Sequence, residues 1–373
     1  MMTLSKINAA LATVSDPELH KPLTELGMVE SVAFDSGIAT LGILLTISGC
    51  PMRDRLTADI TKAVTAISEV KEVKINFGVM NEAQRGAVKK LLQGGREKII
   101  PFAQPDSLTR VFGIASGKGG VGKSSVTVNL AVATAKRGFK VGILDADVYG
   151  HSIPRLMGLE GQRPTAIDQT FIPLEAHGVK VVSMEMFKPE RSDPIAYRGP
   201  LLHRVLEQLL TDAYWGDLDF LYLDLPPGTG DIAISLGQLI PASEILVVTT
   251  PQIAAAEVAE RAGRIAHQLK QHLLGVVENM SEFPCPHCGE SISLFGQNGG
   301  AETAARLSSL LGAEVPLLAK IPFDPNLREG GDTGTPLVLR NPESNAAKAL
   351  EAIVDQLTVR NKSLVGVRLG LNT

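Results

Sequence analysis

The sequence predicts an α/β fold, with a mostly parallel sheet covered by helices on both faces and a small α/β domain in front of it. Three observations carry this. From residue 108 onward short apolar runs alternate with longer helical stretches. Runs that are apolar almost throughout are what strands buried on both faces look like. A glycine-rich loop sits between the first of these runs and the helical stretch after it. Before residue 80 the pattern differs, with a hairpin-like pair of β-rich segments.

In the first 80 residues, Leu4, Ile7, Leu11 and Val14 recur at helical spacing, which reads as a core-facing helix and not as a signal peptide. "MVESVAFD" and "IATLGILLTI" flank "SG", a hairpin pattern. A helix from Pro51 to about Ser68 and a strand in "VKEVKINFGV" complete the unit. Residues 81–107 read as a helix running into a linker rich in Gly, Gln and Pro. Residues 108–360 form the large domain, with strands "RVFGIAS", "KVGILDAD", "VKVVSM", "DFLYLDLP", "EILVVTT", "LLGVVENM" and "VPLLAKIP"; 361–373 are a tail.

Composition excludes several classes. A net charge of −4 gives no electrostatic footprint for nonspecific nucleic-acid binding. No apolar run reaches the length of a membrane span. Three cysteines are too few for a disulfide framework in 373 residues, so a reducing, cytoplasmic setting is expected.

The most specific signal is "VFGIASGKGGVGKSSVTVNLAVATAKRGFK". Gly117, Gly122, Lys123 and Ser124 satisfy GxxxxGK[ST] between a strand and a helix, which predicts a P-loop NTPase. Glycines let backbone amides curl around phosphate oxygens, and the helix N-terminus adds a favourable dipole. The cradle is Gly117, Gly119, Gly120, Val121, Gly122, Lys123, Ser124 and Ser125. Lys123 is assigned to the β and γ phosphates of ATP and Ser124 to Mg2+. Gly117, Gly119 and Gly122 also spell GxGxxG, with Asp145 some twenty residues on, the dinucleotide pattern. The Lys-Ser pair directly after the last glycine favours the triphosphate. "ILDADVYG" places Asp145 and Asp147 at a strand's C-terminal end, where open α/β sheets bind ligands, and "FLYLDLPPGTGD" ends an apolar strand in Asp224.

"GKGGVGKSS" carries an additional lysine, Lys118, after its first glycine. In this the chain resembles the MinD/ParA/nitrogenase-iron-protein class of P-loop ATPases. The resemblance implies a nucleotide-sandwich homodimer in which Lys118 reaches the partner's nucleotide. It assigns Asp147 to positioning the attacking water, Asp224 to the magnesium water shell, and the Gly228 amide to the γ-phosphate. Asn279, in "VVENMS", and Pro322 and Asp324, in "IPFDP", fall where the class contacts the adenine base, although Asp-Pro is also an ordinary turn.

"SEFPCPHCGESISLF" begins two residues after Asn279 and holds Cys285 and Cys288. "ENM", then CxxC, then "LFGQNGG", with "YRGP" at 197–200, resembles the Mrp/ApbC family of iron–sulfur carrier ATPases over residues 108–355. That family usually has tryptophan at the position of Tyr197. The resemblance implies a [4Fe–4S] cluster between subunits, ligated by Cys285 and Cys288 of each, taken from an assembly scaffold and delivered to apo iron–sulfur proteins. Ligand type leaves tetrahedral zinc open, and a redox dithiol or a reduced turn less so. His287 lies between the cysteines as exposed polarity. The alternative function is a MinD/ParA-like positioning or regulatory ATPase with a zinc clasp. A nitrogenase-iron-protein-like electron donor takes its two cysteines from separate segments, unlike this CxxC.

Residues 1–80 resemble the SufT-like iron–sulfur assembly domain, through "SDPELHKPLTELGMV" and "SGCP". Cys50 precedes Pro51, at a helix start near Arg53 and Arg55, a setting that favours a thiolate. It reads equally as a transient ligand and as a small buried residue.

Overall fold

Two successive residues with positive φ, Ser36 at 49° and Gly37 at 88°, close the first hairpin. This is the type I′ pattern, whose twist matches that of the strands it joins. The turn links β1 (Val29–Asp35) to β2 (Ile38–Leu45) as an antiparallel pair. Helix α2 (Arg53–Thr65) then crosses over to β3 (Glu72–Val79), parallel to β2, giving the order β1-β2-β3. Helices α1 (Met2–Leu11) and α3 (Glu82–Leu92) flank this segment in sequence. Ile7 and Leu11 of α1 share one core with Leu41 and Ile43 of β2 and with Leu56 and Ile60 of α2.

The computed structural model describes residues 2–19, 21–46, 52–92, 99–147, 150, 152–167, 170–187, 199–228, 230–285 and 287–359. Cys50, Pro51, Tyr197 and the 361–373 tail lie outside the described residues.

The second sheet begins with β4 (Arg110–Ser116), α4 (Lys123–Lys136), β5 (Val141–Asp145) and α5 (Ile153–Leu156). The chain then leaves it. The short pair β6 (Ala166–Ile167) and β7 (Thr170–Phe171) puts Ile167 and Ile172 into the core built around α1, α2 and β2. Thr165 Oγ1 donates to Glu18 Oε1 at 3.1 Å. Residues 211–214 join them: the Phe171 amide donates to Asp212 O at 3.0 Å and the Tyr214 amide to Phe171 O at 2.8 Å. One compact unit is thus 1–99 with 164–173 and 211–214, and the other is the remainder.

The second unit continues with β8 (Leu174–Ala176), β9 (Val179–Ser183), α6 (Gly199–Thr211), β10 (Phe220–Asp224), α7 (Asp231–Leu239), β11 (Glu244–Thr249), α8 (Ile253–Gln268) and β12 (His272–Asn279). A small hairpin, β13 (Phe283–Pro284) with β14 (Ser291–Ile292), precedes α9 (Gly299–Leu311), β15 (Leu317–Ile321), α10 (Pro325–Thr333), α11 (Leu337–Arg340) and α12 (Asn345–Thr358). Among the described residues the large sheet has eight strands in the order β15-β12-β11-β4-β10-β5-β9-β8, all parallel except the edge strand β8. β5 and β10 are buried along their whole length, which is why they read as unbroken apolar runs. The parallel strands point the same way, so β4, β5, β10, β12 and β15 all end on one edge. No helix among the described residues is long and apolar enough to cross a membrane.

Ile167→Ala tests the shared core. It removes a fully buried side chain, so it should cost about 2–4 kcal/mol. Hydrogen exchange should accelerate in β1–β3, and unchanged exchange there would contradict the shared core.

Candidate nucleotide site and thiol pair

The site begins at the end of β4, where the chain runs through Gly117–Gly122 into the N-terminus of α4. Gly120 and Gly122 both adopt φ of +80°, a region L side chains rarely enter. At Gly122 space also forbids a side chain: a Cβ there would lie 2.3 Å from Asn279 Nδ2. Gly119 and Gly120 are exposed, and a Cβ on Gly120 would meet no atom within 4 Å. The loop is therefore tight on its Asn279 side and open on the other, with the amides of a 14-residue helix behind it. That is a phosphate cradle.

Lys123 Nζ lies 2.7 Å from Asp224 Oδ1, with side-chain exposures of 6% and 0%. Ser124 Oγ donates to Asp224 Oδ2 at 2.6 Å, and Thr127 Oγ1 sits 2.8 Å from Oδ1. Asp224 ends β10, directly beside β4, so the carboxylate reaches the first turn of α4. Thr127, one helical turn after Lys123, completes this cluster, and the motif did not single it out. Its signal is the i+4 spacing, which puts it on the face that Lys123 presents.

Asp145 ends β5 in register with Asp224 on one side and Ser183 on the other. Its Oδ1 accepts the Asp147 amide at 3.1 Å and its Oδ2 the Ser183 hydroxyl at 3.0 Å. Both oxygens are engaged inside the protein, which does not suit a carboxylate meant for a ribose and argues against the dinucleotide reading. Burial first, then the Asp224 charge, push the Asp145 carboxyl well above the usual carboxylate range, with Lys123 and Ser183 opposing. Asp147 is nearly buried, and its Oδ1 accepts the Gly150 amide at 2.9 Å. The Gly228 amide donates to Ser116 O at 2.8 Å, holding the loop after β10 against the start of the phosphate loop. Lys118 Nζ donates to Gln252 Oε1, at the start of α8.

On the far side, Asn279 ends β12 in register with Ile321 of β15. Its Nδ2 donates to Val121 O at 2.9 Å, while its Oδ1 is buried without a partner. A buried acceptor left open beside the loop fits an amino group on a bound base. Pro322 and Asp324 follow β15, and Asp324 Oδ1 accepts the Asn326 amide at 2.9 Å as the N-cap of α10. Glu278 opens the "ENM" motif, which gave it no role of its own. Its buried Oε2 accepts the Gly300 amide at 2.6 Å, at the N-terminus of α9. Cβ atoms on Gly299 and Gly300 would come within 2.6 Å of Pro251 O and Glu278 Cβ, so the "GG" pair lets α9 pack onto the ends of β11 and β12.

Cys285 and Cys288 sit in the turn between β13 and β14, half-buried and exposed respectively. The Cys285 amide donates to Glu290 O and the Gly289 amide to Cys285 O, both at 2.9 Å. The Cys288 and His287 amides, and the Cys288 thiol, donate toward the Cys285 sulfur and hold its pKa below that of an ordinary thiol. Amides aimed at a sulfur favour the thiolate, the form that ligates iron or zinc. Among the described residues no group of three or more His, Cys, Asp or Glu could hold a metal ion within one chain.

A phosphate loop on a helix N-terminus, facing a carboxylate at the end of the neighbouring parallel strand, defines a P-loop NTPase. A family model described as the NUBPL iron-transfer P-loop NTPase matches residues 107–358, and one for an iron–sulfur cluster assembly protein matches 4–77. The chain belongs to this iron-transfer P-loop NTPase family, and it is an ATPase. It is 54% identical over 368 residues to an iron–sulfur cluster carrier protein of Mycobacterium tuberculosis strain H37Rv, covering 98% of this chain and 96% of that one. A protein of the same name from Deinococcus radiodurans is 40% identical over 359 residues, 95% of each chain. Among solved structures, a nucleotide-binding protein from Archaeoglobus fulgidus in complex with ADP is 38% identical, with a TM-score of 0.54 over 64% of this chain and 90% of that one.

The Asp145 environment gives a signed prediction. Its carboxyl is raised in the fold, so ionisation destabilises the protein as pH rises from the unfolded pKa, near 3.9, through the folded one. Asp145→Asn should therefore raise Tm by about 3 °C at pH 8 and by less at pH 5. An equal or lower Tm at pH 8 would show that the carboxylate is stabilised.

Proposed function

We propose that this chain is an ATP-hydrolysing iron–sulfur cluster carrier. It holds a [4Fe–4S] cluster between two copies, through Cys285 and Cys288 of each, and delivers it to apo iron–sulfur proteins. The observation that carries the reading is the placement of the thiol pair. A CxxC hairpin with Cys285 half-buried and Cys288 exposed follows β12, the strand whose last residue, Asn279, hydrogen-bonds to the phosphate loop. Two thiolates per chain are half a cluster's ligand set, and a twofold axis supplies the rest. The names of the full-length relatives support the same reading.

Each residue has a part. The cradle amides and Lys123 bind the β and γ phosphates. Ser124 and Asp224 fit magnesium, a hydroxyl ligand beside a buried carboxylate. When bound, the ion neutralises charge on the phosphates. Asp147 orients the attacking water, and the Gly228 amide meets the γ-phosphate. Lys118 leaves Gln252 to reach the partner's nucleotide. Asn279, Pro322 and Asp324 form the base pocket. Residues 1–80 act as the assembly domain and 81–107 as helix and linker. Residues 108–360 are the ATPase, apart from the segments folded into the first unit, and 361–373 are the tail. The three cysteines and the labile cargo suit the cytoplasm. The donor is an assembly scaffold. A zinc-clasped regulatory ATPase is the second reading, because the same sulfur-directed amides suit zinc.

The test is cluster transfer to an apo acceptor with and without ATP. Cys285→Ser and Cys288→Ser should each lower transfer at least about tenfold, with ATP hydrolysis changed less than about twofold. Lys123→Ala should abolish hydrolysis and make transfer indifferent to ATP. Serine variants that transfer like wild type, or a wild type indifferent to ATP, would overturn the proposal.

A further inference from the structure

Phe323 lies between Pro322 and Asp324, in the segment that follows β15, and its ring packs on the first strand of the cysteine hairpin and on the segment just after the second. It packs edge-on against Phe283, two residues before Cys285, with centroids 5.7 Å apart and planes at 76°. It also meets Phe295, beyond β14, at 6.4 Å and 49°. The backbone adds a second tie. The Ser281 amide donates to Ile321 O at 2.9 Å, and the Phe323 amide donates to Glu282 O at 2.7 Å. The β12–β15 pairing thus continues past its last ladder residue and into the base of the hairpin.

The path from the other end is as short. Asn279 donates to Val121 O in the phosphate loop. Met280 has φ of +57°, a conformation rare for a residue with a side chain, and its Cε is 3.6 Å from the position of a Cβ on Gly122. Only residues 280–284 separate Asn279 from Cys285. Three of these five, Ser281, Glu282 and Phe283, are held by hydrogen bonds or ring contacts to β15 or the segment after it.

We infer that Phe323 is the positioning residue that links nucleotide occupancy to the cysteine hairpin: a base held by Asn279, Pro322 and Asp324 sets, through the ring between them, where Cys285 and Cys288 stand. This rests on the proposed base pocket. Edge-to-face aromatic pairs attract beyond their burial, enough to bias a two-strand hairpin without locking it. The ring is half-buried, so shortening it leaves the sheet intact.

The experiment uses full-length, metal-free, reduced protein. Alkylation of the peptide carrying Cys285 and Cys288 is followed by mass spectrometry, with and without Mg·ADP. Bound nucleotide should slow alkylation about fivefold in wild type. In Phe323→Ala the effect should fall below about 1.5-fold, with ADP affinity within about threefold of wild type; Phe323→Tyr should restore it. Phe295→Leu, which removes the second ring packed on Phe323 and keeps residues 322–324 themselves unchanged, should lose part of the effect. A Phe323→Ala protein as sensitive to ADP as wild type, or a wild type whose alkylation ignores ADP, would overturn the inference. The readout needs no cluster, so it can fail while the carrier proposal stands. If Phe323→Ala loses ADP affinity instead, the ring serves the base pocket and not the hairpin, which also overturns it.

Discussion

The ion pair of Lys123 and Asp224 is the constraint on which the rest of the site depends. It joins the first turn of α4 to the end of β10, and both side chains are shut off from solvent. Removing one partner of such a pair leaves a buried charge and costs roughly 3–5 kcal/mol. The pair therefore fixes where the phosphate loop stands over the sheet. Ser124 and Thr127 complete the shell around the same carboxylate, so one acid organises an ammonium and two hydroxyls. Asp145 lies next to it in the sheet, and the low-dielectric setting that strengthens the pair pushes the Asp145 carboxyl toward neutrality.

From this centre the strand ends divide the work. β5, β10 and the loop after β4 carry the phosphate chemistry. β12 and β15 carry the proposed base side, and beyond them the thiol hairpin. Because these strands run parallel, all of these parts meet on one edge, the usual place for ligands in open α/β sheets. Glu278 and the Gly299–Gly300 pair have a quiet role here. They dock α9 closely onto the ends of β11 and β12, which anchors the chain returning from the hairpin.

Much of this was legible in the sequence, for physical reasons. Strands buried on both faces must be apolar throughout, so β4, β5, β10, β11 and β12 announced themselves. A phosphate loop needs glycines and a lysine at fixed spacing, so its position was unambiguous. The hairpin at Ser36–Gly37 could be read from two letters and its β-rich flanks; the turn type is set by the two positive φ angles. What could not be read is non-local. Ile167 and Ile172 complete a core whose other buried residues lie between Ile7 and Val88, and strands of two residues have no period to detect. Thr127, Gln252 and Phe323 make their contacts only once distant elements are paired. Asp145 and Asp147 stand two residues apart at the end of β5, yet the Asp145 oxygens are taken by Ser183 and the Asp147 amide, while Asp147 folds onto Gly150.

The central claim is that two copies of this chain share one cluster through the hairpin thiols. Native mass spectrometry after anaerobic reconstitution with iron and sulfide tests it most directly. The account predicts a species of two chains plus one [4Fe–4S] cluster, absent when Cys288 is replaced by serine. A species holding zinc, with no sulfide and the same stoichiometry after reconstitution, would contradict it and leave the hairpin a structural clasp.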